Sequence, residues 1–510
     1  MDSATIVFIV LFAIFAALGF GASKWRKGDM KELGEWALAG RRLGAYLAWF
    51  LVGADLYTAY TFIAIPSAVF LHGSIYMFAV PYVMATFAVA MIVMTSLWKL
   101  SKKNNYVTAV DFVRDKFNSR TLAILIAITG IVAELPYIAL QIVGMQAVLI
   151  VMLQPYFATA STITSVSEFA LIVSFVILAA FTFWSGLRGA VLTAVMKDII
   201  ILVSVVVIVI AVPLAINGGF ATAFSKAAAA GAVSKVNYTT LAPVLGPAFL
   251  SLFVLSALAL YLYPHAINGV LGSKSAKSVR YSTAMLPLYG FGLFLLALFG
   301  ILIFAEPNAL HIITTTKNAA LVVPALISTT MPGWFVGFAF LGIFIGGLVP
   351  AAIMAISQAN LLTRNIIKEF KKDMTPHQEA RIAKWASVIF KFLALGFVFA
   401  IPASYAIQLQ LLGGILIVQT LPPIFMGLYV KWLDKNALIV GWFVGILSGL
   451  YFIFTIPLNV AGHTLVTSLM STPLGLLYVA AVSLFLNVVV VLIWSAIAKT
   501  MKPKAQPATA

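Results

Sequence analysis

The chain has 510 residues, 63% of them hydrophobic and only 9% charged, with a formal net charge of +17. Soluble globular domains carry charge on roughly a quarter of their residues, so a soluble fold is excluded. The basic surplus invites a nucleic-acid reading, but 38 Phe and a mean hydropathy of +1.08 exclude that class. With no Cys, disulfides, thiolate zinc sites and iron–sulfur clusters fall away, and five scattered His do not make a multi-haem subunit. What remains is a polytopic membrane protein.

A membrane-spanning helix needs about 20 mostly apolar residues. Thirteen stretches qualify: 4–23, 43–70, 75–98, 121–152, 168–184, 189–216, 245–270, 281–305, 334–363, 385–401, 405–430, 437–456 and 474–498. They are called spans 1 to 13 below. Several are longer than a bilayer requires, so they tilt, break or run past it. Span 1 follows Met1, Asp2 and Ser3, and its basic residues Lys24, Arg26 and Lys27 come after it. That order is opposite to a secretory signal and predicts an anchor helix with its N-terminus outside.

The positive-inside rule tests this count. If the loops alternate sides, 27 of the 32 Lys and Arg fall on one side and three on the other, with Lys197 and Lys391 inside helices. One miscounted helix would scramble that split. The expected protein sits in the plasma membrane with its N-terminus outside and its C-terminus cytoplasmic. On the outer side, Asn237, Tyr238 and Thr239 form a glycan-acceptor sequence.

No Gly-Lys dipeptide exists for an ATP-binding loop, and neither H-E-x-x-H nor G-x-S-x-G occurs. Neither an enzyme nor a resident cofactor or metal is expected. Two spans are interrupted. Span 2 carries Gly53, Ala54, Asp55, Tyr57, Thr58 and Thr61 before Pro66, and span 7 carries Tyr261, Tyr263, Pro264, His265, Asn268 and Gly269. Transporters place substrate at such breaks, where backbone groups are free to meet a ligand. The breaks stand five helices apart, which predicts two five-helix repeats, spans 2–6 and 7–11.

Ionisable residues inside a membrane cost roughly 2.5–3.5 kcal/mol each on insertion scales and default to functional candidates. They are Asp55, Glu134, Lys197, Asp198 and Lys391. Glu134 heads a polar stripe with Tyr137 and Gln141 at helical spacing. Lys197 and Asp198 are adjacent, so they point about 100° apart and are expected to find separate partners. Lys391 lies close to a basic loop and is expected to snorkel toward it.

At these residues the chain resembles the sodium:solute symporter family. The carrying strings are Trp36-Ala-Leu-Ala-Gly-Arg-Arg42, Val110-Asp-Phe-Val113, Pro136-Tyr-Ile-Ala-Leu-Gln141, Ser185-Gly-Leu-Arg188 and Leu362-Thr-Arg-Asn-Ile366. Within the family it is most similar to the monocarboxylate permease branch, through Leu262-Tyr-Pro-His265, Leu348-Val-Pro-Ala-Ala-Ile-Met354, Tyr405-Ala-Ile-Gln-Leu-Gln-Leu-Leu-Gly-Gly414, Val195-Met-Lys-Asp198 and Gln419-Thr-Leu-Pro422. The resemblance implies an all-α integral membrane protein with the leucine-transporter-type 5+5 inverted repeat and extra terminal helices. It implies residues 1–35 as an extra helix and basic loop, 36–220 and 240–432 as the repeats, 433–498 as two further helices and 499–510 as a tail.

The resemblance also implies transport of short organic acids such as lactate, pyruvate, acetate or propionate. Two departures bear on coupling. Sodium-coupled members set two hydroxyls of span 9 against the carbonyls of the span 2 break, and here those positions read Val349 and Pro350. Neither side chain offers the oxygen a hard cation needs. Positions that are commonly Asp and Gln in span 6 read Ala194 and Lys197. A Lys on this helix is similar to the arrangement in proton-coupled amino-acid permeases of the same fold, where an ammonium occupies the sodium position.

The expected coupling-ion or proton site is therefore Asp55, Lys197, Asp198 and Glu134, with Lys197 near Asp55 and the span 2 carbonyls. The expected substrate-binding residues are Ala54, Tyr57, Thr58, Gln141, Tyr261, Tyr263 and His265, with the substrate carboxylate at the half-helix amides. The partners are a small organic acid, a coupling proton and the lipid bilayer, with no nucleic acid. The alternatives are a sodium-coupled symporter of an amino acid or sugar, using Asp55 and an oxygen such as Ser357, or a channel or transporter-like sensor.

Overall fold

The computed structural model describes residues 2–25, 29–53, 55–399, 405–455, 457–460 and 463–501. Ala54, the tail beyond Met501 and the basic residues Arg26 and Lys27 lie outside them. Among the described residues, ten helical runs are long and apolar enough to cross a membrane. A helix satisfies its own backbone hydrogen bonds, which a lipid environment cannot do for it. The run Tyr60–Asn104 holds the second half of span 2 and all of span 3, and Ala160–Ala215 holds spans 5 and 6. Span 10 is the helix Pro376–Val398, whose first half is charged and whose entry is fixed by a capping box between Thr375 and Gln378.

The join between spans 5 and 6 corrects the expected loop at 185–188. Gly186, at φ +54° and ψ −142°, kinks one continuous run there. A Cβ on Gly186 would lie 2.3 Å from the Trp36 carbonyl oxygen, so the close approach requires glycine. Trp36 answers with its indole N–H, which donates to the Thr182 carbonyl at 3.2 Å. Arg188 is therefore buried rather than looped out, and it pairs with Glu35.

Span 9, the run Gly333–Phe370, is buried throughout its most apolar stretch and forms the centre of the bundle. Arg120–Leu153, Ala160–Ala215 and the N-terminal helix Ser3–Gly21 pack around its Gly333–Asn360 portion. Spans 2 and 7 are both interrupted. Span 2 consists of Ala45–Gly53, then a π-helical turn Tyr60–Ala64 running into Ile65–His72. Span 7 consists of Gly246–Leu260 and Pro264–Leu271, parted at residues 261–263. Their ends toward the basic loops are tied together, since Leu43 donates its N–H to Gly272 (3.1 Å) and Lys274 donates to Leu43 (2.8 Å).

Residues 457–478 hold two short antiparallel hairpins, Pro457–Val460 with His463–Val466 and Leu469–Thr472 with Gly475–Tyr478. The last helix consequently starts at Val479 rather than at the expected 474, and runs to Met501. The second hairpin is pinned to span 7 where the Tyr478 N–H meets Ser251 Oγ at 3.0 Å.

Candidate functional site

The expected acidic and basic residues come together at the two breaks, in two groups that flank Asp55. All are buried: Asp55 is 3% exposed, and Glu134, Lys197, Asp198 and His265 are fully enclosed.

The first group is centred on Lys197. Its ammonium donates to the Tyr57 carbonyl at 2.9 Å, inside the span 2 break. On span 9, Gly346 faces the same oxygen, with an ideal Cβ position only 3.7 Å from it, and Ile201 one turn beyond Lys197 lies 3.2 Å from that position. Pro350 has no N–H to offer the carbonyl of Gly346, four residues earlier. Val349 and Pro350 are buried alongside without a ligating oxygen. The ammonium thus fills the place where the break of span 2, span 6 and span 9 meet.

Lys197 and Asp198 do pair, at 2.9 Å from Nζ to Oδ1, which corrects the expectation that neighbours in a helix cannot. The Cβ directions diverge, but the four-carbon Lys stem is long enough to curl back to the adjacent carboxylate. The other Asp198 oxygen accepts from the Tyr289 hydroxyl at 2.7 Å, which adds span 8 to the junction. Tyr289 in turn stacks edge-on against Tyr57 at 4.6 Å between centroids. Tyr57 is wedged against span 8 at Gly292, so the contribution it makes to the break is its backbone carbonyl.

The second group is centred on Glu134. Its Oε1 accepts the backbone N–H of His265 at 2.8 Å and lies 2.8 Å from His265 Nδ1. Ser357 Oγ of span 9 stands 2.9 and 2.8 Å from the two carboxylate oxygens. His265 is the second residue of the half-helix Pro264–Leu271, so Glu134 occupies the positive end of that helix. Tyr137 and Tyr263 enclose the imidazole, each with its centroid 5.5 Å away. Among the described residues, His265 Nε2, the Tyr261 hydroxyl and Asp55 Oδ1 are buried with no hydrogen-bond partner, and no ion pair joins Asp55 to Lys197. His265, Lys197, Glu134 and Asp198 all lie within electrostatic reach of the buried Asp55 carboxyl.

Gln141 links this helix to the other break, because its side-chain oxygen accepts the Ala59 N–H at 3.2 Å. Thr58 caps the same turn, accepting from the Tyr60 N–H at 3.0 Å. A constricted cleft of about 20 Å³ is lined by Val107, Thr108, Pro264 and Ser357, beside the Glu134 group.

Lys391 does not snorkel. It is fully buried, donates to Thr182 Oγ1 at 3.0 Å and to the Ser387 carbonyl at 3.4 Å, and lies outside both groups. Thr182 on the neighbouring helix captures the ammonium before it reaches the loop. Sequence reasoning missed Tyr289, whose only signal is its place beside the small residues Gly290 and Gly292. Ser357 entered only as a possible sodium ligand, and its hydroxyl lies against the Glu134 carboxylate and the Met354 carbonyl.

The comparisons agree with this architecture. The model of the sodium:solute symporter family matches residues 36–445. A monocarboxylate transport permease protein of Rhizobium johnstonii is 40% identical over 454 residues, 89% of either chain. An uncharacterised symporter of Bacillus subtilis is 33% identical over 90% of this chain and 89% of that one. The sodium/pantothenate symporter of Escherichia coli is 25% identical over 79% of this chain and 81% of its own. A substrate-bound, outward-open Na⁺-coupled sialic acid symporter superposes with a TM-score of 0.73, covering 98% of each chain at 15% identity. That last likeness bears on fold alone and agrees with the leucine-transporter-type bundle. With a family model spanning most of its length and two broken helices meeting at its centre, the chain belongs to the sodium:solute symporter family.

Proposed function

We propose that this symporter carries short monocarboxylates together with a proton, and that the Lys197 ammonium takes the part a sodium ion plays in its relatives. The observation that carries this reading is the 2.9 Å hydrogen bond from Lys197 to the Tyr57 carbonyl at the span 2 break. A fixed ammonium there satisfies the free carbonyl that a sodium ion would otherwise ligate. The 40% identity to a monocarboxylate permease supports the substrate class.

In this mechanism the charged Lys197 holds spans 2 and 8 against span 6, through Tyr57, Asp198 and Tyr289. Losing its proton removes that bridge, so the proton biases the exchange between outward-open and inward-open forms. The two repeats take residues 36–220 and 240–432, and the basic loops face the cytoplasm, with the N-terminus outside. The test is purified protein in liposomes, given labelled lactate, pyruvate or acetate under a pH gradient alone or a Na⁺ gradient alone. Accumulation on the pH gradient is expected. Accumulation that requires Na⁺ at fixed pH contradicts proton coupling and favours the sodium-coupled reading.

A further inference from the structure

The half-helix Pro264–Leu271 presents its N-terminal amides to the span 7 break, and the group held there is the protein's own carboxylate, Glu134. The His265 N–H donates to it, the His265 imidazole donates in its Nδ1–H tautomer, and the Ser357 hydroxyl, which also has the Met354 carbonyl at 2.7 Å, donates when turned toward the carboxylate. That is the donor set a transported monocarboxylate needs, and it is fully buried. Beside it, His265 Nε2 and the Tyr261 hydroxyl are buried and without a partner among the described residues, although polar groups so placed ordinarily find partners. The constricted cleft lined by Ser357 and Pro264 adjoins them, and the anion needs it wider than it stands here.

We propose that Glu134 is an internal stand-in for the substrate's carboxylate. Ionised, it caps the half-helix and keeps the donors occupied. Protonated, it leaves the His265 N–H, and the transported anion takes its place. A carboxylic acid is a poorer acceptor than a carboxylate and has lost the charge that the helix end favours. The exchange conserves charge: one negative charge sits on the donors before and after, and one proton enters with one anion. Every group facing Glu134 fits this. Asp55 from span 2 is a second buried carboxyl within electrostatic reach of Glu134, so ionising both beside an anion is disfavoured. His265 and Tyr263 from span 7 and Ser357 from span 9 supply donors, and Tyr137 from its own helix walls the imidazole.

This inference rests on the monocarboxylate reading and adds the docking point of the anion; the bridging role of Lys197 is independent of it. Two measurements separate them. The first needs no substrate: hydrogen–deuterium exchange of the segment 261–271, corrected for intrinsic rates, at acidic and at neutral pH. Wild type is expected to lose protection there on acidification, and Glu134→Gln to lack it at both pH values. The second is binding of labelled lactate, pyruvate and acetate. Wild-type affinity should fall about tenfold for each pH unit above the transition, the slope of one linked proton. Glu134→Gln should lose that slope, and Lys197→Gln should keep it.

Ser357→Ala leaves the titrating carboxyl in place and serves if Glu134→Gln does not fold. Its exchange transition in 261–271 should move to higher pH than in wild type, because the ionised carboxylate has lost a donor and takes up its proton more readily. The inference is overturned if 261–271 exchanges identically at both pH values in wild type, or if Glu134→Gln keeps the wild-type slope. It is overturned too if Ser357→Ala leaves the exchange transition at the wild-type pH. If the exchange switch is present but none of the three acids binds, the pH-dependent cap on the half-helix remains, and the monocarboxylate reading fails together with the anion docking that rests on it.

Discussion

Glu134 and Gln141 lie seven residues apart on the helix Arg120–Leu153, and each accepts a backbone N–H from a different broken span. Glu134 takes the His265 N–H of span 7 and Gln141 the Ala59 N–H of span 2. Seven residues are two helical turns, about 10 Å along one face. One rigid helix therefore sets the spacing of both breaks, and the cap on each is a side chain rather than a neighbouring turn.

Removing one cap should loosen one break. Gln141→Leu leaves the Ala59 N–H buried without an acceptor, a penalty of about 1–3 kcal/mol. A lower unfolding temperature in detergent is expected. Gln141→Glu retains an acceptor oxygen at that point and should restore more of the lost stability than Leu does.

Tyr289 holds Asp198 from span 8 by a 2.7 Å bond. Tyr289→Phe keeps the ring against Tyr57 and deletes only the hydroxyl. A hydrogen bond to a charged group contributes about 1.5–3 kcal/mol. Uptake should slow more than substrate binding weakens, since the bond lies at the junction between helices. Comparing the uptake rate with the binding affinity checks this, and an equal change in both would disagree.

The same contact demands a glycine on span 2. An added Cβ at Gly53 would lie 2.1 Å from the Tyr289 oxygen and 2.2 Å from its Cζ. Gly53→Ala should therefore push the ring off Asp198 and cost about 1–3 kcal/mol, the usual range for overpacking. Gly44, on the same span, has open space around its Cβ position. Gly44→Ala is the matched control and should leave the unfolding temperature unchanged.

Lys391 bonds only to neutral oxygens of Thr182 and Ser387 among the described residues, so its burial is poorly compensated. A buried cation without a counter-charge costs stability that an apolar side chain of similar volume avoids. Lys391→Met should raise the unfolding temperature and leave transport intact. A loss of uptake would give this lysine a functional place outside the two groups at the breaks.

The breaks were legible because Gly53 and Pro264 stand beside polar residues at mid-span in otherwise apolar runs, whereas Pro66 and Gly269 lie inside the helices that follow. The list of ionisable suspects was short for the same reason, and four of the five converge on the breaks. Their pairing was not legible. Lys197 reaches its own neighbour because a long flexible stem outweighs Cβ direction, and Glu134 meets His265 only because spans 4 and 7 pack together. Lys391 was misplaced because the sequence shows the nearby basic loop but not Thr182 across the helix interface. The strand Gly475–Tyr478 was hidden because Leu474, Leu476 and Leu477 read as the start of span 13, set at 474.

The central claim is that the charge on Lys197 controls the exchange between outward-open and inward-open forms, so that a protein without it completes no net cycle even though each anion still brings a proton to Glu134. The direct measurement is labelled-acid uptake by Lys197→Gln protein in liposomes, in two modes. With equal pH on both sides and unlabelled acid inside, exchange should persist, since the substrate groups are intact. Under an imposed pH gradient the variant should fail to concentrate the acid. A Lys197→Gln protein that concentrates it to the wild-type level would contradict the account.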